Sequence, residues 1–162
     1  MKTYTKILLG VLGSFLIISC GSDDGEVFSQ TGPAFSISEM AGSWEATEAG
    51  FIPAADHEPE DQVGLILEGG SVSMVIQSNG RFTININPVD RDSYSYTGRM
   101  FFEDGESFAM EFDKYPGDYD YWFVRLTATT LELNGGDTAG EYDFDNDGVF
   151  EAASVFLKFI RV

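Results

Sequence analysis

The sequence predicts an all-β protein, an antiparallel up-and-down β-barrel of about eight strands. After residue 45 no segment keeps a 3.6-residue apolar period, so long helices are not expected. Apolar residues instead recur at every second position in short segments that turn residues separate. Closing these segments into a ring would leave no unpaired sheet edge, and a β-sandwich is the alternative arrangement.

The chain begins with a segment typical of an export signal. Two lysines precede an apolar run over residues 7–18, and its 12 residues are fewer than the roughly 20 that a membrane-spanning helix needs. The stretch IISC that ends at Cys20 resembles the lipobox of bacterial lipoproteins, in which the cysteine thiol is acylated and the chain is cut just before the cysteine. The resemblance implies a signal peptide over 1–19, lipidation of Cys20, and a membrane partner held through the lipid.

An acidic spacer is expected between the lipid and the folded domain. Residues 20–36 combine the cysteine with Gly, Ser, Asp, Thr and Pro, a composition typical of a flexible linker. The run GSDDGE after Cys20 resembles the signal that sends Bacteroidota lipoproteins to the cell surface. We therefore expect an outer-membrane lipoprotein exposed at the cell surface, with a periplasm-facing attachment as the alternative.

The composition argues against several classes of function. One cysteine excludes an internal disulfide, and one histidine excludes a histidine-clustered metal site from this chain alone. The formal charge of −18 argues against a nucleic-acid partner, because phosphate binding needs basic patches. No motif of a serine hydrolase, phosphate-binding loop or zinc protease is present, and we expect no enzyme activity. A hydrolase using two of the 27 acidic residues is the remaining enzymatic alternative.

Hairpins follow one another from residue 72 onward. Segments 72–76 and 82–86 alternate apolar and polar residues, and the Asn79-Gly80 pair between them is a strong hairpin signal. The same alternation, bounded by turn sequences, predicts further strands over 94–102, 108–112, 119–126, 131–133, 141–144 and 154–160.

One helical turn and a Gly-x-Trp strand open the predicted domain, residues 37–162. The sequence ISEMAGSW, which ends at Trp44, resembles the opening of the lipocalin barrel. The resemblance implies that Trp44 closes the base of the barrel under a basic residue near the chain end. Arg161 is the best-placed match, with Lys158 and Arg125 as alternatives.

The lipocalin resemblance also implies a small apolar or amphipathic ligand inside the barrel. It predicts a cavity of a few hundred Å³ that is open at one end. Aromatic and methionine side chains on repeated strand faces are the candidate lining residues: Tyr94, Tyr96, Met100, Phe102, Phe108, Phe112, Tyr121 and Phe123. In the alternative these side chains fill the core, and the domain is a non-enzymatic surface interaction or adhesion module.

An acidic loop before the last strand has the spacing of the first half of a calcium loop. Three aspartates at every second position are followed by glycine, with a backbone carbonyl and a glutamate at the next ligand positions. The candidate ligands are Asp143, Asp145, Asp147, Val149 and Glu151. Ser154 stands where an EF-hand has its bidentate Glu, so a solvated acidic hairpin is the alternative. We expect no required cofactor, with calcium as the possible exception. A second acidic cluster, around His57, is expected to form a loop at the mouth of the barrel.

Overall fold

The structure is a computed structural model that describes residues 27–54 and 62–162. The predicted signal peptide, Cys20 and the acidic cluster around His57 lie outside these described residues. Eleven strands and one short helix make up the described part of the chain. They are β1 (Phe28–Ser29), α1 (Ile37–Met40), β2 (Gly42–Pro53), β3 (Val63–Gly64), β4 (Ser71–Ile76), β5 (Arg81–Asn87), β6 (Tyr94–Glu103), β7 (Ser107–Phe112), β8 (Asp120–Leu126), β9 (Thr130–Gly135), β10 (Gly140–Tyr142) and β11 (Glu151–Arg161).

Eight strands close into one antiparallel barrel, which confirms the predicted fold class and excludes the sandwich. The ring runs β2, β4, β5, β6, β7, β8, β9 and β11, and β11 returns to β2 over nine residue pairs. Each strand of the ring pairs antiparallel with its neighbours, as expected of an up-and-down barrel. Three short strands lie outside the ring: β1 pairs with β6, β3 pairs with β2, and β10 pairs with β11.

Part of the segment predicted as a flexible linker is folded onto the barrel. β1 pairs with β6, and the Phe28 ring lies 4.5 Å from the Phe101 ring and 5.6 Å from the Tyr119 ring, measured between centroids. The linker-like composition does not indicate this contact, because the contact depends on the aromatic rings that the barrel places beside Phe28. The linker prediction is therefore wrong for residues 27–36.

Trp44 closes one end of the barrel beneath Arg161. The Trp44 side chain is fully buried, and its Nε1 donates to the Met40 carbonyl of α1 at 2.9 Å. The Arg161 guanidinium carbon lies 4.1 Å from the Trp44 ring centroid, a cation–π contact. The guanidinium also donates to the carbonyls of Glu39, Ala41 and Ala128. Lys158 and Arg125, the alternative candidates, instead lie beside Glu48 and Glu132.

Candidate functional site

A cavity of about 300 Å³ lies inside the barrel, toward the end away from Trp44. Most of its wall is apolar and comes from inward-facing positions of the strands. These wall residues are Phe51, Met74, Ile84, Ile86, Met110, Trp122, Val155 and Leu157. The exposed residues Tyr115, Asp118 and Thr138 form its rim, so the cavity opens to solvent there.

The open end arises where two strands of the ring separate. β7 and β8 share only two residue pairs, Ala109 with Tyr121 and Met110 with Asp120. The connection between them turns at Gly117, whose φ of 87° favours glycine. Small residues also line the wall at this end, where Gly135 lies against both Ala139 and the Trp122 ring. The closed end, by contrast, is filled by large side chains such as Phe159 and Met100.

Two of the predicted lining residues, Tyr96 and Phe112, line the cavity. Met100, Phe102 and Phe108 are buried in the core but do not line it. The Phe102 ring packs against Phe108 at 5.5 Å, and Phe35 from the chain before α1 packs on both rings.

Tyr94 lies beside a different pocket, one that borders the acidic loop. Met100, Phe102 and Phe108 show that a residue can be buried in the core without lining the cavity. These four residues, Tyr94, Met100, Phe102 and Phe108, correct the predicted lining set.

Tyr121 and Phe123 lie on the outer face, contrary to their predicted place in the cavity. They are 50% and 85% exposed, and the Tyr121 hydroxyl donates to the Glu103 carboxylate. β8 carries aromatic or apolar side chains on both faces, so period-2 alternation alone does not tell which face is inside. The inward face instead carries Asp120 and Trp122, which the sequence analysis missed as site residues.

Glu141 and Lys114 form a satisfied ion pair at the rim. Lys114 Nζ lies 2.6 Å from Glu141 Oε2, and the hydroxyls of Tyr115 and Tyr96 also donate to this carboxylate. Burial acts to raise the pKa of Glu141, but these hydrogen bonds and the Lys114 charge lower it below its ordinary value. Glu141 therefore stays ionised at neutral pH with its own cation.

Asp120 has no such partner. Among the described residues it makes no ion pair and accepts no side-chain hydrogen bond. Burial and the nearby charge of Asp118 raise the pKa of Asp120 from 3.8 to about 6. Two residues further in, Trp122 Nε1 is buried and has no acceptor in the described part of the chain. One strand face thus carries an acceptor and a buried donor that have no partner among the described residues.

Replacing Asp120 by asparagine is expected to raise the free energy of unfolding by about 1 kcal/mol near pH 8. With a folded-state pKa of about 6 against the ordinary 3.8, the unfolded chain loses this proton first as the pH rises. Stability therefore falls between these pH values, and the whole penalty is present above pH 6. The full shift would correspond to about 3 kcal/mol, which solvent screening at this partly exposed site reduces.

Melting temperatures of both proteins near pH 8 and near pH 4 check this expectation. The variant should melt higher near pH 8, and most of the difference should vanish near pH 4. Glu106→Gln, which removes one charge from an exposed turn at the closed end, is the matched control and should change neither value. Equal melting of the Asp120→Asn variant and the original protein near pH 8 would show that the carboxylate is not desolvated.

The acidic loop brings three predicted calcium ligands together. One carboxylate oxygen from each of Asp143, Asp145 and Asp147 lies within 4.8 Å of the others. The loop curls because Asn146 and Gly148 have φ of 61° and 88°. Glu151, the fourth predicted carboxylate, accepts from the Phe144 backbone N–H at 3.1 Å.

Calcium binding at this loop stays a prediction. Ca²⁺ would relieve the repulsion of the three carboxylates, as in weak extracellular calcium modules with Kd of roughly 10⁻⁴–10⁻³ M. Calcium at about tenfold or more above Kd should then stabilise the protein by about 1.5–3 kcal/mol. A rise in melting temperature that a chelator reverses and that Asp145→Asn abolishes is expected. Superimposable melting curves with calcium and with chelator would contradict it.

No family model, curated protein or solved structure matches this chain. Within the described residues, no helix has the length and apolar character needed to cross a membrane. The function is therefore inferred from the barrel, its cavity and the chemistry of the groups around the cavity.

Proposed function

We propose that the protein is a membrane-anchored lipoprotein whose lipocalin-like barrel binds a small apolar or amphipathic ligand. The observation that supports this function is the cavity of about 300 Å³ at the open end of the barrel. Its size falls at the lower end of the range of small-molecule sites, which are mostly apolar with a few placed polar groups. The wall residues and the polar rim follow that composition.

The energetics of the cavity also favour a ligand. Apolar side chains such as Ile84, Ile86 and Leu157 line space that no protein atom fills and that opens to solvent at the rim. Contact between water and an apolar wall is unfavourable. An apolar ligand would displace that water and remove the wall from it.

A surface interaction module is the second candidate, and one observation favours it. Phe123 is 85% exposed on the outer face of β8, with the half-exposed Tyr121 on the same face. That alternative predicted a filled interior, whereas the structure has an unfilled one at its open end. We therefore place ligand binding first.

Mass spectrometry of the natively purified protein tests the proposed ligand. The protein is extracted from its own membrane with a nanodisc-forming polymer, so that no detergent can enter the barrel. A small molecule that co-purifies at one per protein, and that is absent from a Val155→Phe variant with a narrowed cavity, is the expected result. Identical small-molecule profiles for the two proteins would contradict ligand binding in the barrel.

Membrane fractionation tests the proposed anchor. Lipidation at Cys20 should place the protein in the membrane fraction and add the mass of the acyl chains, because acylation is the only anchor in this proposal. Cys20→Ser should lose the lipid mass. Protease treatment of intact cells then separates the cell-surface attachment, which should be digested, from a periplasm-facing one, which should be protected. Absence of acyl mass on Cys20 of the original protein would contradict the lipoprotein assignment.

A further inference from the structure

The open end of the cavity presents a carboxylate that the backbone holds in place. Asp120 is the first residue of β8 and pairs with Met110 of β7 at the last rung before the two strands separate. Because side chains alternate along a strand, Asp120 shares the inward face with Trp122. Both residues line the cavity. The carboxylate thus lies where an apolar wall meets the rim.

The other charged groups at the rim leave this carboxylate without a counter-charge. In the part of the chain that the structure describes, the cation beside the rim is Lys114, which pairs with Glu141 and contacts the Tyr115 and Tyr96 rings. Asp118 lines the same cavity and adds a second negative charge. The described groups at the rim therefore carry a net negative charge around an apolar cavity.

Trp122 adds apolar wall beside Asp120. It is 7% exposed and lines the cavity, and its Nε1 has no acceptor among the described residues. That nitrogen is itself shielded from the cavity, so the polar group that a ligand can reach on this strand face is the Asp120 carboxylate.

We propose that the cavity selects an amphiphile with a protonated amine, which pairs with Asp120 while its apolar body fills the barrel. This inference rests on the proposed function, since it names the class of the ligand. A charge-assisted hydrogen bond between an ammonium group and a partly desolvated carboxylate is stronger than a neutral one. An anionic amphiphile would meet two unneutralised aspartates, in a protein whose formal charge is −18. The rim therefore discriminates by charge, and the wall supplies the apolar contact.

The test compares three probes that share one ten-carbon chain: decylamine, decanol and decanoate. Each is titrated calorimetrically into the purified protein near pH 7.5, below its micelle concentration. Decylamine should bind most tightly, decanol more weakly and decanoate most weakly. Asp120→Asn should weaken decylamine binding about tenfold, the value of a hydrogen bond to a charged group, and leave decanol unchanged. Glu106→Gln, which removes one acidic charge far from the cavity, should leave all three affinities unchanged.

The pH dependence supplies a second measurement on the unaltered protein. Lowering the pH from about 7.5 to about 5 should weaken decylamine but not decanol, because Asp120 takes up a proton near pH 6. The pKa of Glu141 is lowered, so the Lys114–Glu141 ion pair persists over this pH range. Asp118, the other carboxylate at the rim, is exposed to solvent.

The outcomes distinguish failure of the proposed charge selection from failure of ligand binding itself. Equal binding of the three probes, tightest binding of decanoate, or an unchanged decylamine affinity in Asp120→Asn would overturn the amine selection and leave the proposed function intact. Failure of every probe to bind would overturn both. Decylamine binding that survives Val155→Phe would show adsorption to the acidic surface and would also overturn the inference.

Discussion

Replacement of Trp44 by alanine is expected to lower the free energy of unfolding by about 4 kcal/mol. Trp44 is fully buried at the closed end, where its indole N–H donates a hydrogen bond to the Met40 carbonyl of α1 and its ring lies under the Arg161 guanidinium. The substitution removes the buried ring, breaks the hydrogen bond to Met40, and leaves Arg161 without its aromatic surface. Urea denaturation measures the loss as a lower midpoint at unchanged slope.

Phe123→Ala is the matched control for this prediction. It also removes a large aromatic ring, but from a side chain that is 85% exposed, and it should change stability by no more than about 0.5 kcal/mol. If Trp44→Ala costs less than about 1 kcal/mol, the helix, the indole and Arg161 do not close the barrel as a unit.

Val155→Phe is expected to reduce decanol binding below detection. Val155 is 4% exposed, pairs with Phe51 across the β11–β2 seam, and forms part of the cavity wall. A phenyl ring at this position should extend into the unfilled space and reduce the cavity volume that is left for a ligand. The same space lowers the usual cost of overpacking a core, which is about 1–3 kcal/mol, so the variant should fold. Calorimetric titration with decanol, a neutral probe, measures the effect independently of Asp120.

Val75→Phe makes the same substitution on the outer face of the barrel and is the matched control. Val75 is 47% exposed on β4 and does not line the cavity, so that this variant should bind decanol as the original protein does. Similar affinities in all three proteins would place the decanol site outside the barrel and contradict the proposed function.

The strands and turns were largely predictable because their signals are local. The predicted segments 72–76 and 82–86 correspond to β4 and β5, and the Asn79-Gly80 pair lies in the turn that joins them. At Gly80 the backbone has a φ of 86°, which explains why glycine follows the asparagine. Closure of the ring was predictable in outline, since successive antiparallel strands without helices leave few alternatives.

The cavity itself was not predictable residue by residue. Where a strand has apolar side chains on both faces, as β8 does, its orientation depends on the neighbours it pairs with, and these are known only from the fold. Asp120 illustrates the point, because a lone acidic residue at a strand start is typical of a solvated turn in sequence. Its inward position follows from the face it shares with Trp122.

The most direct test of a ligand site inside the barrel is a crystal structure with decanol that carries bromine on its terminal carbon. The anomalous signal of bromine locates the chain end without interpretation of weak density. The proposed function predicts one strong peak inside the barrel, among Met74, Met110 and Leu157. An interior filled by the protein's own side chains, with bromine only on the outer surface, would contradict it.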